Sequence, residues 1–475
     1  MTGIIFGKEL TEFLRDRRFI GIIAILVLLL AAASLDGWNR AASDMQARQA
    51  AVATDREVWV EQGENNPHGA AHFARYAFRE TPPLAAFDPG IFDFAGAAFW
   101  MEAHTQNPTT LRRAEDAAVQ APFPALSPAW IVQVVGTLAL VILLFPSIAG
   151  ERQQGTLRAL SGAGVPPSSF AWGKVSTAFL FVGAMAVLLI LLPVLVGILT
   201  GAGGYSAMRL VSLILVYALG LIGFSFFVLW LSARSATLSK AFTLAASAWL
   251  FVALLWPALA GQFAVTLFPD IDEQQLKNDI QIHAQSPFWS GETEERAAAI
   301  ASLEARVVAE FGAESFDSLG FDREALILQA HEEFANAVYD RIYGELAATH
   351  SGQDAVLRYA SVVSPVLALQ RLSSGLSGTD LLAQQRFATQ AEAHRRLIIE
   401  QLNHDMMVNA GDQAFSYMAG RELWESIPEF EPAPPSLGDV FQYYLFELGV
   451  LFLWLLAAGW LAIAAIRNSL QQGAR

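Results

Sequence analysis

The chain contains no cysteine, which excludes disulfides, thiolate metal sites and a cysteine nucleophile. Charged side chains are also scarce, at 16% of the chain against roughly 25% in an average soluble domain. Acids outnumber bases by 45 to 30, and the resulting net charge of −15 argues against nucleic acid as a partner. Hydrophobic residues, in contrast, make up 54% of the 475 residues. This balance predicts a membrane protein with several spans and substantial soluble parts.

Sequence motifs of several enzyme classes are missing as well. There is no G-x-x-x-x-G-K-[ST] phosphate loop, because Gly173-Lys174 is preceded by Ser168 where the first glycine would stand. His331-Glu332 lacks the second histidine of an H-E-x-x-H zinc motif, and no G-x-S-x-G elbow occurs. We therefore expect that the chain is not an enzyme and binds no cofactor itself.

The apolar residues are concentrated in runs long enough to cross a bilayer as helices, which takes about 20 residues. The first run is short for this purpose, and Ala31–Ala33 after it would also fit the cleavage region of a signal peptide. We predict six spans rather than five with a cleaved leader. The predicted spans are residues 19–35, 129–149, 175–200, 208–231, 241–260 and 441–466.

Two long polar stretches, residues 36–128 and 261–440, separate these spans. Apolar residues at helical spacing predict amphipathic helices at Glu292–Phe311, Arg323–Ala348 and Leu381–Met407. The fold class expected from the whole pattern is mainly α, with two mostly helical insertions outside the membrane.

Bases cluster in the short connections and at the termini, whereas the rest of the chain is strongly acidic. The basic segments are residues 1–18, 150–174, 232–240 and 467–475. Short basic loops stay in the cytoplasm, and long soluble regions can be translocated regardless of their charge. The pattern predicts a multi-pass protein of the bacterial inner membrane, with both termini inside and both insertions in the periplasm.

The connection at residues 150–174 fits a small helix that Pro166 and Pro167 stop. Residues 1–18 form a basic, amphipathic entry with the line Lys8-Glu9-Leu10, for which a plain positive flank of the first span is the alternative. In the connection, a glutamate leads into a Gly-Thr-Leu core: Glu151, Gly155, Thr156 and Leu157. In these features the chain resembles the ABC-2 type transporter permeases.

The resemblance implies a six-helix permease domain of type V exporter-like architecture, here with two large insertions. It also implies two copies of a separate ABC ATPase, which bind ATP and Mg, and a second permease that is identical or paralogous. Residues 150–174 would be the coupling segment that docks on the ATPase, and Glu151→Arg or Leu157→Asp would uncouple ATPase stimulation without preventing insertion. The coupling residues implied are Glu151, Gly155, Thr156, Leu157 and Leu160.

Polar side chains inside spans are functional candidates because they are costly to bury there. Gln133 in the second span and Glu447 near the outer end of the sixth are candidates for a translocation path or a helix interface. For Glu447, a position wetted by lipid headgroups is the alternative.

His68 and His72 are four residues apart and would share one face of a helix, as a metal pair would need. Pro67 and Gly69 weaken a helix there, and the spacing fixes no third ligand. A packed or solvated pair is the simpler interpretation, so no metal site is expected.

The function expected from these features is export, or another movement of a substrate across or out of the inner membrane, driven by the partner ATPase. The alternative is a non-transporting subunit that relays ATP-driven motion to periplasmic proteins. A membrane-anchored periplasmic enzyme is a third possibility, for which the sequence offers no catalytic cluster.

Overall fold

The computed structural model describes residues 1–73, 75–112, 126–199 and 206–473. The described chain is mainly helical, which confirms that part of the expected fold class. In the first half the helices are α1 (Thr2–Arg15), α2 (Arg17–Val60), α3 (Pro67–His72), α4 (Pro128–Gln153), α5 (Thr156–Gly162), α6 (Pro167–Leu199), α7 (Ala207–Arg234) and α8 (Leu238–Leu267). In the second half they are α9 (Glu273–Ile280), α10 (Ser286–Trp289), α11 (Glu294–Phe311), α12 (Arg323–Ala360), α13 (Pro365–Ser377), α14 (Leu381–Asn409), α15 (Arg421–Ser426), α16 (Leu437–Tyr443) and α17 (Leu445–Gly473).

Five of these helices, α2, α4, α7, α8 and α17, are long and apolar enough to cross a membrane. Four of them contain a predicted span, and α17 contains most of a fifth. The predicted span 175–200 falls on α6, a helix of 33 residues, and part of that span lies outside the described residues. The chain is therefore a helical protein with several helices that have the length and composition of membrane spans.

The helices extend beyond the predicted spans. α2 has 44 residues and runs from the first span far into the first insertion, where Glu61 ends it. It begins after Asp16, whose carboxylate accepts a hydrogen bond from the Arg18 backbone N–H at 2.9 Å and so caps the helix. The last predicted span divides at Tyr444 into the short α16 and the long α17.

Consecutive long helices run in opposite directions, so their ends gather in two groups. At one of these, the basal end, α4, α7 and α17 finish together: Arg152 donates to the Ala233 carbonyl and to Ser469 Oγ, both at 2.8 Å. At the other, the domain end, Arg209 at the start of α7 donates to the Leu376 carbonyl at 2.9 Å. α1 and α5 lie at the basal end, and both insertions lie at the domain end.

A small antiparallel sheet belongs to the first insertion, which is less helical than predicted. Its strands are β1 (Arg75–Phe78), β2 (Ala98–Glu102) and β3 (Thr105–Gln106), in that order. The two insertions share one core: the Trp59 and Trp424 rings lie 5.5 Å apart, and Trp59 Nε1 donates to the Trp424 carbonyl at 2.9 Å. Most of the two polar stretches thus folds together as one domain at this end of the helices.

Helix α13 was expected to belong to the soluble second insertion, but it packs inside the apolar body. Leu369, Leu372 and Leu376 are buried in the same core as side chains of α7 and α17. Thirteen residues are too few to span a bilayer. α13 therefore carries part of the second insertion into the body without crossing it.

Candidate functional site

A cluster of two carboxylates and two ammonium groups joins the helices at the basal end. Lys174 Nζ of α6 lies 2.7 Å from a Glu9 oxygen and 3.0 Å from Glu151 Oε1. Lys8 Nζ of α1 lies 2.7 Å from the same Glu151 oxygen. Of these residues only Lys8 has a largely accessible side chain. Because each buried charge has an opposite partner, the cluster fixes α1 and α6 to the end of α4.

The implied coupling residues lie beside this cluster, at the turn from α4 into α5. Gly155 has a φ of +79°, the left-handed conformation that glycine adopts without strain. This turn brings Thr156 Oγ1 to the Glu151 carbonyl at 2.9 Å and into contact with its carboxylate. Leu157 is buried in the core and Leu160 is half-buried. The exposed surface here, which we call the basal face, includes Gln153, Gln154, Gly155, Arg158, Ala159 and Gly162.

Gln133 belongs to a buried chain of hydrogen bonds at the domain end. Its Nε2 donates to the Tyr217 hydroxyl at 2.7 Å, and that hydroxyl lies 2.9 Å from Ser373 Oγ. Ser373 in turn donates to the carboxylate of Asp88 in the first insertion. Burial raises the pKa of Asp88, against the effect of its hydrogen bonds from Ser373 and the Gly90 backbone. The chain links α4, α7 and α13 to the domain.

Glu447 is fully buried at the start of α17 and takes part in a second polar network. Arg371 Nε of α13 lies 2.7 Å from Glu447 Oε1. The two terminal nitrogens of Arg371 bind both oxygens of Asp354 in α12, at 2.8 and 2.9 Å. The Tyr443 hydroxyl donates to Asp354 at 2.9 Å. Glu447 therefore lies in an interface of three helices.

A cavity of about 1570 Å³ lies between the domain and the body. Its walls come from the first insertion and from α4, α12, α13 and α14, and both polar networks reach it. Asp354, Arg371 and Asp380 supply charge to the wall, whereas Phe94 and Trp130 supply apolar surface. The volume exceeds the roughly 300–1,000 Å³ of common small-molecule sites. The cavity can hold a sizeable ligand with both apolar and charged parts.

The two histidines paired by sequence spacing do share a helix, α3. The expectation that Pro67 weakens it was wrong, because Pro67 occupies the first helical position, where proline's missing N–H is not needed. Asn66 caps the helix by accepting from the Gly69 N–H at 3.1 Å. His68 and His72 then meet His104, which the sequence did not connect with them, and His104 in turn lies against His331 and Glu332.

The electrostatics of this histidine cluster are set by burial and by the neighbouring rings. Burial, together with the nearby His104, lowers the pKa of both His68 and His331 to about 4. Burial alone would raise the pKa of Glu332, but a hydrogen bond from His104 and the charge of Arg395 lower it to about 2. The lowered pKa values leave His68 and His331 neutral and Glu332 ionised near neutral pH.

Sequence reasoning missed Arg371, Asp88 and Glu332. Arg371 had a readable signal, because it interrupts the apolar line of residues 365–372, where an unpaired charge would be costly. Asp88 and Glu332 had none, since their partners are more than 60 residues away in the chain.

Comparison with known proteins adds one match. Residues 275–433 fit the model of a family described as a domain of unknown function, DUF3526. This stretch covers about a third of the chain, from α9 to the residues before α16, and it includes Arg371, His331 and Glu332. No curated protein and no solved structure matches the chain.

Proposed function

We propose that this protein is the membrane-spanning permease subunit of an ATP-driven transporter of the ABC-2 type, working with a separate ATPase. The observation that carries the proposal is the Glu151 cluster. It joins the entry helix, α4 and α6 into one rigid unit directly beside the exposed basal face. A subunit that receives force from a soluble partner needs such a connection, because a loosely attached loop would absorb the motion.

The topology that goes with this function places the basal end in the cytoplasm and the domain in the periplasm of a bacterial inner membrane. The basic segments 1–18 and 150–174 lie at the basal end, as positive-inside sorting requires. α17 connects the two ends, since Ser469 accepts from Arg152 at one end and Glu447 pairs with Arg371 at the other. Motion at the basal face can therefore reach the cavity through one continuous helix.

The burial of Glu151 and Leu157 changes how the coupling role is best tested. Substituting either residue would damage packing as well as docking, so the sharper variant is Arg158→Glu on the exposed basal face. We expect it to weaken ATPase binding about tenfold, or ~1.4 kcal/mol, and to lower stimulated ATP hydrolysis accordingly. The measurement is co-purification and ATPase activity with the cognate ATPase in nanodiscs.

The matched control is Arg234→Glu, an exposed base at the same end of the body but outside the basal face. It should leave binding and stimulated hydrolysis near wild type. Equal losses of ATPase binding in both variants would point to a general charge effect. Unchanged binding in Arg158→Glu would show that the basal face is not the docking surface.

One observation favours a second function, a mechanical relay to periplasmic proteins. α2 is continuous over 44 residues, about 66 Å at the rise of an α-helix. It begins after α1 at the basal end and reaches the tryptophan pair of the domain core. Such a rod could move the domain without opening a path for substrate.

Cavity access separates the two functions, and the lack of native cysteines makes the measurement specific. In an Ala388→Cys variant the only thiol would lie in the cavity wall. A permease predicts that ATP analogues bound to the partner ATPase let a membrane-impermeant maleimide reach this thiol from the basal side. A relay predicts labelling from the domain side alone, because the domain moves without opening a path; a cysteine placed at exposed Phe73 serves as the control that is always accessible from the domain side.

A further inference from the structure

We propose that His68, His72 and His104 form a binding site for a borderline divalent transition-metal ion, Zn²⁺ in the first place, on the extramembrane domain. The ligands come from α3 and from the turn between β2 and β3. This site lies outside the cavity and the basal cluster, and it does not depend on the transport function proposed above.

The first two ligands are arranged by α3. His68 and His72 are one helical turn apart, and their Nε2 atoms face each other at 3.2 Å. Two nitrogens bound to one tetrahedral Zn²⁺ at 2.0–2.1 Å would be about 3.3 Å apart. The capped helix therefore already holds the two imidazoles at the separation of metal ligands.

The third ligand is held by an unusual backbone. His104 has a φ of +63°, a conformation that costs energy for a residue with a Cβ. Its backbone is bound on both sides: the N–H donates to Glu332 Oε1 at 2.6 Å, and the carbonyl accepts from the Tyr339 hydroxyl and from Gln285. The ring lies with its centroid 5.1 Å from that of His68 and 5.2 Å from that of His72. The domain thus holds His104 in a strained conformation at the place where its ring joins those of His68 and His72.

A carboxylate orients this third ring. His104 Nδ1 lies 2.8 Å from Glu332 Oε1, which leaves Nε2 for a metal. Histidine ligands in proteins commonly donate their other ring N–H to a carboxylate in this way. Glu332 is itself fixed by the fully buried Arg395 at 3.1 Å.

A second ligand set, His104 with His331 and Glu332, is also close enough to bind an ion. We favour the three histidines because both Glu332 oxygens are already engaged, one by the His104 backbone and the other by Arg395. His72 is exposed, which gives an ion a route to the triad, whereas His331 and Glu332 are buried. Three imidazoles suit Zn²⁺ and Cu²⁺ and leave a position open for water.

The test uses the full-length chain without a histidine tag, purified in detergent, stripped with chelator and incubated with Zn²⁺. We expect one tightly bound zinc per chain by mass spectrometry of the metal content after desalting. His72→Ala should weaken the affinity in a competition titration by more than about 100-fold, since loss of a ligand exceeds the 10–100-fold effect of losing its support. His404→Ala, an exposed histidine elsewhere in the domain, should leave it unchanged.

Two further variants identify the ligands. Glu332→Gln should weaken zinc binding 10–100-fold, because the His104 ring loses the carboxylate that orients it. His331→Phe removes only the contact of His331 Nδ1 with His104 Nδ1 at 3.0 Å and should weaken binding far less than His72→Ala. Cu²⁺ in the same site should show nitrogen couplings in its EPR spectrum that His72→Ala reduces. Absence of a tight zinc, or tight binding that depends on His331 and not on His72, would overturn the proposal.

Discussion

Replacing Arg371 by methionine is expected to destabilise the junction between the domain and the body by about 3–5 kcal/mol, the cost of breaking a buried ion pair from one side. Arg371 is the partner of two buried carboxylates, Asp354 and Glu447. Without it, Glu447 would be left fully buried, and among the described residues Arg358 Nε, 3.8 Å away, would be its remaining cationic partner. The measurement is thermal unfolding in detergent, followed by the fluorescence of the tryptophans.

Two comparisons make this prediction specific. Arg386→Met removes an arginine whose partner, Asp439, is exposed, and it should change the unfolding temperature little. The double variant Arg371→Met/Glu447→Met removes both charges and should recover part of the lost stability, because no carboxylate at 447 is then left unpaired. If the single variant unfolds like the wild type, the network does not hold the junction together.

Replacing Glu151 by alanine is expected to release the entry helix α1 from the basal end. The substitution removes the carboxylate that Lys8 and Lys174 share, and it leaves Lys174 buried with Glu9 as its partner. We expect a loss of about 3 kcal/mol at this end of the body. Limited trypsin digestion should reveal it as much faster cleavage at Arg15, between α1 and α2.

Glu12→Ala is the matched control for this experiment. Glu12 also binds Lys8, at 3.0 Å, but its side chain is 61% exposed, so its loss should hardly change the cleavage rate. Equal protection of Glu151→Ala and wild type would show that Glu151 is not needed to hold α1, and that the Glu9–Lys174 ion pair and apolar packing suffice. One such contact is the close approach of Ile5 to Gly173, where an added Cβ would lie 2.5 Å from Ile5 Cγ2.

The two variants also relate structure to the proposed function. Glu151→Ala is expected to separate the basal face from the body, and Arg371→Met to separate the body from the domain. If the protein transmits ATP-driven motion, both should lower transport or stimulated hydrolysis more than they lower the amount of protein in the membrane. Arg158→Glu, in contrast, should affect docking without a change in stability.

The sequence by itself determined the helical class, the membrane character and the approximate position of most long helices. A run of about 20 apolar residues favours a membrane-spanning helix, because a helix pairs its backbone N–H and C=O groups internally and few other structures do so. Amphipathic spacing also located α11 and α14 to within two residues at each end. These features depend on neighbours along the chain, so they can be read from it.

Only the tertiary structure decided which distant residues meet. Arg371 and Glu447 are 76 residues apart in the chain, Asp88 and Ser373 are 285 apart, and neither separation leaves a periodic signal. His104 lies next to His68 and His72 because the turn after β2 folds against α3 and α12. A buried charge or imidazole is stable when a polar partner lies next to it. Tertiary packing, rather than the local sequence, decides which distant residue becomes that partner.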